Sequence, residues 1–175
     1  MKETPTALHA LVVHSHPVPG SLTQAARARA VAGLASAGVR TTEVDAYEPV
    51  DVDGCRALLA GTRVLVLVYP TWWGGQPAAL KSWIDTVLPD DRREARALLG
   101  SLRRFVAVTG HGSGKFMNVL EGEPGRKLVM RGLRLAAPWR CRSTWISLYD
   151  ADGCDEADFT AWLEQVETRC ARLIR

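Results

Sequence analysis

The sequence predicts an α/β domain, a parallel sheet with helices on both faces. Three observations carry this. Short apolar runs alternate with helix-like stretches along the whole chain. One run, Arg63 to Tyr69 (RVLVLVY), is continuously apolar and rich in β-branched residues, as a central strand covered on both faces should be. No repeat, low-complexity tract or linker interrupts the pattern, so the 175 residues read as one domain spanning 1–175.

The elements follow in order. Leu8 to His14 is a short apolar strand. Ser21 to Gly38 reads as a helix with small and apolar residues on one face, Arg27 and Arg29 on the other, and Gly38 as its stop. Val39 to Ala46 alternates like a strand, and Asp53 to Gly61 is a short helix. After the central strand, Pro77 to Leu88 is a helix with its proline suited to the first turn. Arg92 to Leu102 is a polar helix or loop, and Arg104 to Thr109 a fourth strand. Gly125 to Leu135 is helical, Ser143 to Tyr149 is a fifth strand, and Glu156 to Ile174 a closing amphipathic helix.

Composition narrows the function. Apolar residues are 47% and charged residues 23%, which excludes a disordered, collagenous or coiled-coil chain. The net charge is +3, and 18 of the 22 basic residues are arginine. They are spread along the chain, whereas a nucleic-acid binder would cluster them; a compositional bias of the genome accounts for them better than an anion-binding surface. No apolar run approaches a membrane span, and the polar start, Met1 to Thr6, shows no secretory signal. Cys55, Cys141, Cys154 and Cys170 form no CxxC and read as reduced thiols of a cytoplasmic protein. His14 and His16 alone supply too few ligands for a metal.

In parallel sheets ligands sit beyond the carboxyl ends of the strands, near the switch in strand order. Three loops there stand out. The first, His16-Pro17-Val18-Pro19-Gly20-Ser21-Leu22-Thr23, leads into the first helix. Ser21 is a good N-cap, and the free amides, helix dipole and hydroxyls make an anion cup to which His16 adds a donor. Its plainer reading is an ordinary capped helix. The second, Tyr69-Pro70-Thr71-Trp72-Trp73-Gly74-Gly75-Gln76-Pro77, puts aromatic walls beside glycines that let a backbone approach a flat ligand. Two buried tryptophans at a turn are the alternative. The third, Thr109-Gly110-His111-Gly112-Ser113-Gly114-Lys115, has neither the spacing of a phosphate loop nor a clear helix opening after it. It reads as an amide-rich loop able to bond a polar ring edge. Trp139, Trp145 and Trp162 read as core or interface.

Together, His16-Pro17 with Ser21, the block Tyr69 to Asp85 (YPTWWGGQPAALKSWID) and Val108-Thr109-Gly110 resemble the flavodoxin-like NAD(P)H:quinone oxidoreductases. The middle block is the most specific. The resemblance implies a three-layer flavodoxin-like fold with strand order 2-1-3-4-5. It implies a flavin, its phosphate held by His16, Ser21, Leu22 and Thr23. Pro70, Thr71, Trp72, Trp73 and Gly74 would lie along the ring, and Thr109, Gly110 and His111 would touch its polar edge. The chain has no second lobe for adenine, which favours FMN over FAD. The family implies NADPH or NADH as cosubstrate, ping-pong transfer of two electrons to a quinone, azo or nitro compound, and a homodimer.

Two departures matter. Phe116 and Gly122 stand where mammalian members carry a tyrosine and a histidine that relay charge, so His111 is the candidate catalytic substitute. Leu88 runs straight into Pro89-Asp90-Asp91-Arg92-Arg93 where many relatives carry a longer cap, so either a more open pocket or a cover supplied by another element is expected. A flavin-binding ancillary subunit, for example of a potassium-efflux system, is the competing class; an electron carrier would be strongly acidic.

Overall fold

Residues 8–120 and 122–174 are described by the structure, a computed structural model. Five strands form one sheet: β1 (His9–His14), β2 (Arg40–Asp45), β3 (Val64–Thr71), β4 (Arg104–His111) and β5 (Arg142–Leu148). Their order is β2-β1-β3-β4-β5, and every neighbouring pair is parallel. The expected order is therefore the observed one.

Alternation along the strands sorts side chains into two cores. Leu11, Val13, Leu65, Leu67, Tyr69, Phe105 and Ala107 face one way. They meet α2 (Val52–Gly61) through Leu59 and α3 (Ala78–Val87) through Leu80, Trp83 and Val87. Val12, Val66, Val68, Val106, Val108 and Ile146 face the other way. They meet α1 (Leu22–Ser36) through Ala26, Ala30 and Leu34 and α8 (Glu156–Ala171) through Trp162, Val166 and Cys170. A strand with both faces covered needs no polar alternation, which is why β3 reads as an unbroken apolar run.

The fourth helix, α4 (Arg92–Leu98), is capped by Asp91, whose carboxylate accepts from the Arg93 and Glu94 amides. Past β4 the chain departs from the sequence expectation. A helix does open after the glycine-rich loop, α5 (Lys115–Leu120). The stretch expected as one helix over 125–135 is α6 (Pro124–Lys127), a π-helical turn (Leu128–Leu133) and α7 (Arg134–Ala136). Trp139 is not core; it is 88% exposed.

Gly33 is where α1 crosses α8. A methyl group there would overlap the Glu167 carbonyl oxygen, a backbone atom no rotamer can move. Gly33→Ala gains about 1 kcal/mol of helix propensity. Forcing two packed helices apart costs roughly 1–3 kcal/mol. We expect the clash to win, lowering the urea midpoint, whereas Gly61→Ala, which meets no atom within 4 Å, should not.

Candidate functional site

The carboxyl ends of β1, β3 and β4 open into a cleft of about 700 Å³. Its lining includes His16, Leu22, Thr23, Pro70, Thr71, Trp72, Trp73, Gly74, Gly110 and His111, ten of the twelve residues singled out from sequence. Ser21 and Thr109 do not line it. Ser21 caps α1, its hydroxyl accepting from the Gln24 amide at 3.3 Å. Thr109 is buried beneath the floor, with its hydroxyl 2.8 Å from that of Thr71. Both support the wall from behind.

The wall at α1 presents backbone donors. Leu22 and Thr23 are the first two residues of the helix, so their amides lie beyond intrahelical acceptors and at the positive end of its dipole. Beside them the Val18 amide donates to His16 Nδ1 at 3.1 Å. Nδ1 also lies 3.2 Å from Val18 O, so Val18 occupies that nitrogen and leaves Nε2 as the one not engaged by it. Its ring lies 5.8 Å from that of Trp72.

The tryptophans are not buried. Trp72 and Gly75 exchange backbone bonds of 3.0 and 2.9 Å around a two-residue turn. Both central residues have positive φ, 50° at Trp73 and 71° at Gly74, the signature of a type I′ turn. Glycine adopts this freely; tryptophan does so at a cost. The turn is held from outside, where the Gly125 amide donates to Gly74 O at 2.8 Å and Gln76 Nε2 donates to Gly125 O at 3.0 Å. The result is a fully exposed Trp73 at the cleft mouth.

The floor is flat at Gly110, where a Cβ would meet nothing within 4 Å. Next to it His111 is 4% exposed and stacks on Tyr149 with ring centroids 4.5 Å apart. Sequence reasoning missed its partners. Asn118 Nδ2 donates to Ser113 O, Ser113 Oγ and Gly114 O, each at 3.0 Å. Its Oδ1 therefore faces His111 Nδ1 at 2.8 Å and accepts from it. That bond fixes the tautomer with the proton on Nδ1 and Nε2 bare. Nε2 has no partner. Burial lowers the His111 pKa, against the opposing Asn118 bond and Glu123 charge. Gly112, Ser113, Asn118, Ala151 and Asp152 complete the lining, so the segment after β5 supplies a wall. No motif announced them; Asn118 lies on α5, the helix the glycine pattern concealed.

Residues 9–168 match the model of a family described as having the flavodoxin-like fold. The chain belongs to this family. Solved structures agree with that flavodoxin-like assignment across nearly the whole length. An NAD(P)H:quinone oxidoreductase from Methanothermobacter marburgensis is 18% identical, with a TM-score of 0.79 over 97% of this chain and 98% of that one. An FMN-dependent NADH-azoreductase from Bacillus anthracis, solved with FMN, is 13% identical, with a TM-score of 0.78 over 96% and 100%. Smu.1420 from Streptococcus mutans is 21% identical, with a TM-score of 0.80 over 94% and 99%. No curated protein sequence matches the chain. Among the described residues no group of three or more His, Cys, Asp or Glu could hold a metal, and no helix is long and apolar enough to cross a membrane.

His111 has a consequence for stability. Its pKa, like that of His9, is lowered in the fold from 6.5, in both cases mainly by burial. The unfolded chain therefore binds more protons as pH falls through 6.5, and stability falls with it. Urea unfolding at pH 7.5 and pH 5.5 should show that loss. His111→Phe should reduce the pH dependence while costing about 1–3 kcal/mol at pH 7.5, because Asn118 Oδ1 loses its donor.

Proposed function

We propose that the chain is a flavin-dependent NAD(P)H oxidoreductase that passes two electrons through FMN to a quinone, azo or nitro aromatic acceptor. One observation carries this reading: a single cleft joins an anion-binding helix start to a flat, unobstructed floor. That is the shape of a planar ring with a phosphate tail. When bound, the flavin would supply the redox chemistry, two-electron exchange between nicotinamide and acceptor. Two of the solved relatives are by name an NAD(P)H:quinone oxidoreductase and an FMN-dependent NADH-azoreductase.

The protein's own groups position and polarise. The amides of Leu22 and Thr23 and the His16 ring would hold the phosphate, with Ser21 fixing the helix start. Pro70, Thr71, Trp72, Trp73 and Gly74 flank the ring, and Gly110 lets it lie against the backbone. Thr109 holds the floor through Thr71. His111 is the proton-handling residue: Asn118 keeps its Nδ1–H engaged, so Nε2 is the atom able to accept a proton. A cleft of about 700 Å³ suits FMN. NADPH or NADH is the cosubstrate.

The cleft mouth calls for a neighbour. Trp73 at the mouth is wholly exposed, and Phe116 and Leu120 on α5 are 79% and 70% exposed, apolar surface that a homodimer partner would cover. Free cysteines throughout fit a reducing cytoplasm.

The purified protein should be yellow, bleach when NADPH or NADH is added without oxygen, and regain colour with a quinone. Flavin that NAD(P)H never reduces would instead favour an ancillary, regulatory role; failure to bind FMN on reconstitution would overturn both. His16→Ala should weaken FMN retention roughly tenfold, the worth of one charge-assisted bond. Unchanged retention would remove His16 from the phosphate site.

A further inference from the structure

The arginines that look scattered in sequence are gathered by the fold. Arg40 opens β2, Arg63 directly precedes β3, Arg104 opens β4 and Arg142 opens β5. Because all strands run parallel, these four lie at the amino end of the sheet, opposite the cleft. Arg103 and Arg140 join them. Burial first, then the neighbouring Arg140 and Arg63 charges, hold the Arg103 guanidinium below its ordinary pKa.

Beside this rim lies an open groove of about 720 Å³ lined by Arg96, Arg134, Arg140, Leu135 and Trp139, among others, with no carboxylate in the lining. None of these eight arginines forms an ion pair among the described residues. Several are tied to backbone carbonyls instead. Arg134 donates to Pro138 O and Trp139 O, Arg96 to Leu135 O, and Arg103 to Gly100 O, Ser101 O and Leu102 O. Carbonyls order a guanidinium without cancelling its charge. Trp139 is 88% exposed and Leu135 62% exposed.

Uncancelled positive charge calls for an anionic occupant. A protein partner would need a larger apolar centre than one tryptophan and one leucine. Single-stranded nucleic acid would need a succession of aromatic faces, and Trp139 stands alone. An anionic bilayer needs what is present: cations spread over a broad face, with a tryptophan and a leucine able to enter the headgroup region.

We propose that this end of the domain, the arginine rim together with the groove of Trp139 and Leu135 beside it, docks on an anionic lipid surface. The inference stands apart from the flavin reading, because the docking face and the cleft are at opposite ends of the sheet. The test is co-sedimentation of the purified protein with vesicles of phosphatidylcholine alone and of phosphatidylcholine with phosphatidylglycerol. The sedimented fraction should rise roughly tenfold with the anionic lipid and fall steeply with added salt. Arg140→Glu with Arg142→Glu, and separately Trp139→Ser, should each reduce it roughly fivefold or more. All three side chains are exposed, so thermal unfolding should be unchanged in these variants. No binding at low salt would overturn the proposal. So would binding that survives both variants, or binding of single-stranded DNA or polyglutamate without binding of the anionic vesicles.

Discussion

The structure depends on the parallel pairing of β3 with β1 on one side and β4 on the other. Val64 to Tyr69 are all buried, so this strand meets no water along that stretch. Parallel neighbours cannot be joined by a hairpin, so each strand must be followed by a crossing segment that returns to the same end. Those crossings cover the sheet on both faces, and they deliver every strand's carboxyl end to one edge. The cleft is a consequence of that pairing rather than a separate construction. His16, Trp72 and His111 are far apart in the chain and meet because β1, β3 and β4 are adjacent and codirectional.

Stability made in the sheet is spent at its edge. Trp73 is held at positive φ in a turn that glycine would occupy without cost, and its side chain projects into solvent. What over-determines the turn is external. Its own crossed backbone bonds close it, and the bonds between Gly74, Gln76 and Gly125 pin it to α6. The α6 segment is fixed in turn at Glu123, which accepts from Arg126 at 3.0 Å and from the Tyr149 hydroxyl at 3.3 Å. Tyr149 stacks on His111. One chain of contacts thus links the strained turn, the helical segment after β4 and the buried histidine, so the two walls of the cleft are mechanically coupled.

Periodicity made the fold legible. Burial imposes period-two and continuous apolar patterns on the strands, and these survive in β1, β3 and β4 without any knowledge of tertiary contacts. The loops after those strands were legible through composition. Proline and glycine where a strand ends hold the backbone out of regular structure, and tryptophans beside them place flat aromatic surface at the ligand-binding edge of the sheet. What stayed hidden has physical reasons. The helix α5 follows three glycines in five residues, a composition that argues against helix and is overruled by the Asn118 bonds back to Ser113 and Gly114. Asn118 itself carries no periodic or motif signal; its importance exists only once His111 is beside it. The arginine rim is invisible for the opposite reason. Each arginine sits unremarkably before a strand, and only parallel topology adds them together.

The two ends of the sheet handle charge differently, and the difference follows from burial. At the cleft the donors at the start of α1 are uncharged backbone amides, those of Leu22 and Thr23. Neutral donors on rigid backbone act at hydrogen-bond range and are directional, so under the proposed flavin reading they would recognise a phosphate by geometry. His111, buried deeper, is kept uncharged by the same low-dielectric surroundings that make an unpaired ion costly there. At the other end the groups are full charges in contact with water, ordered by carbonyls and left uncompensated. Their field extends about a Debye length, roughly 8 Å at physiological salt, and does not depend on exact orientation. The proposed flavin site, which would seat one planar anion in one pose, gains from the first arrangement. The proposed docking face, which would meet an extended, laterally fluid anionic surface, gains from the second. A chain with a net charge of only +3 can serve both because its topology separates them along the strand axis.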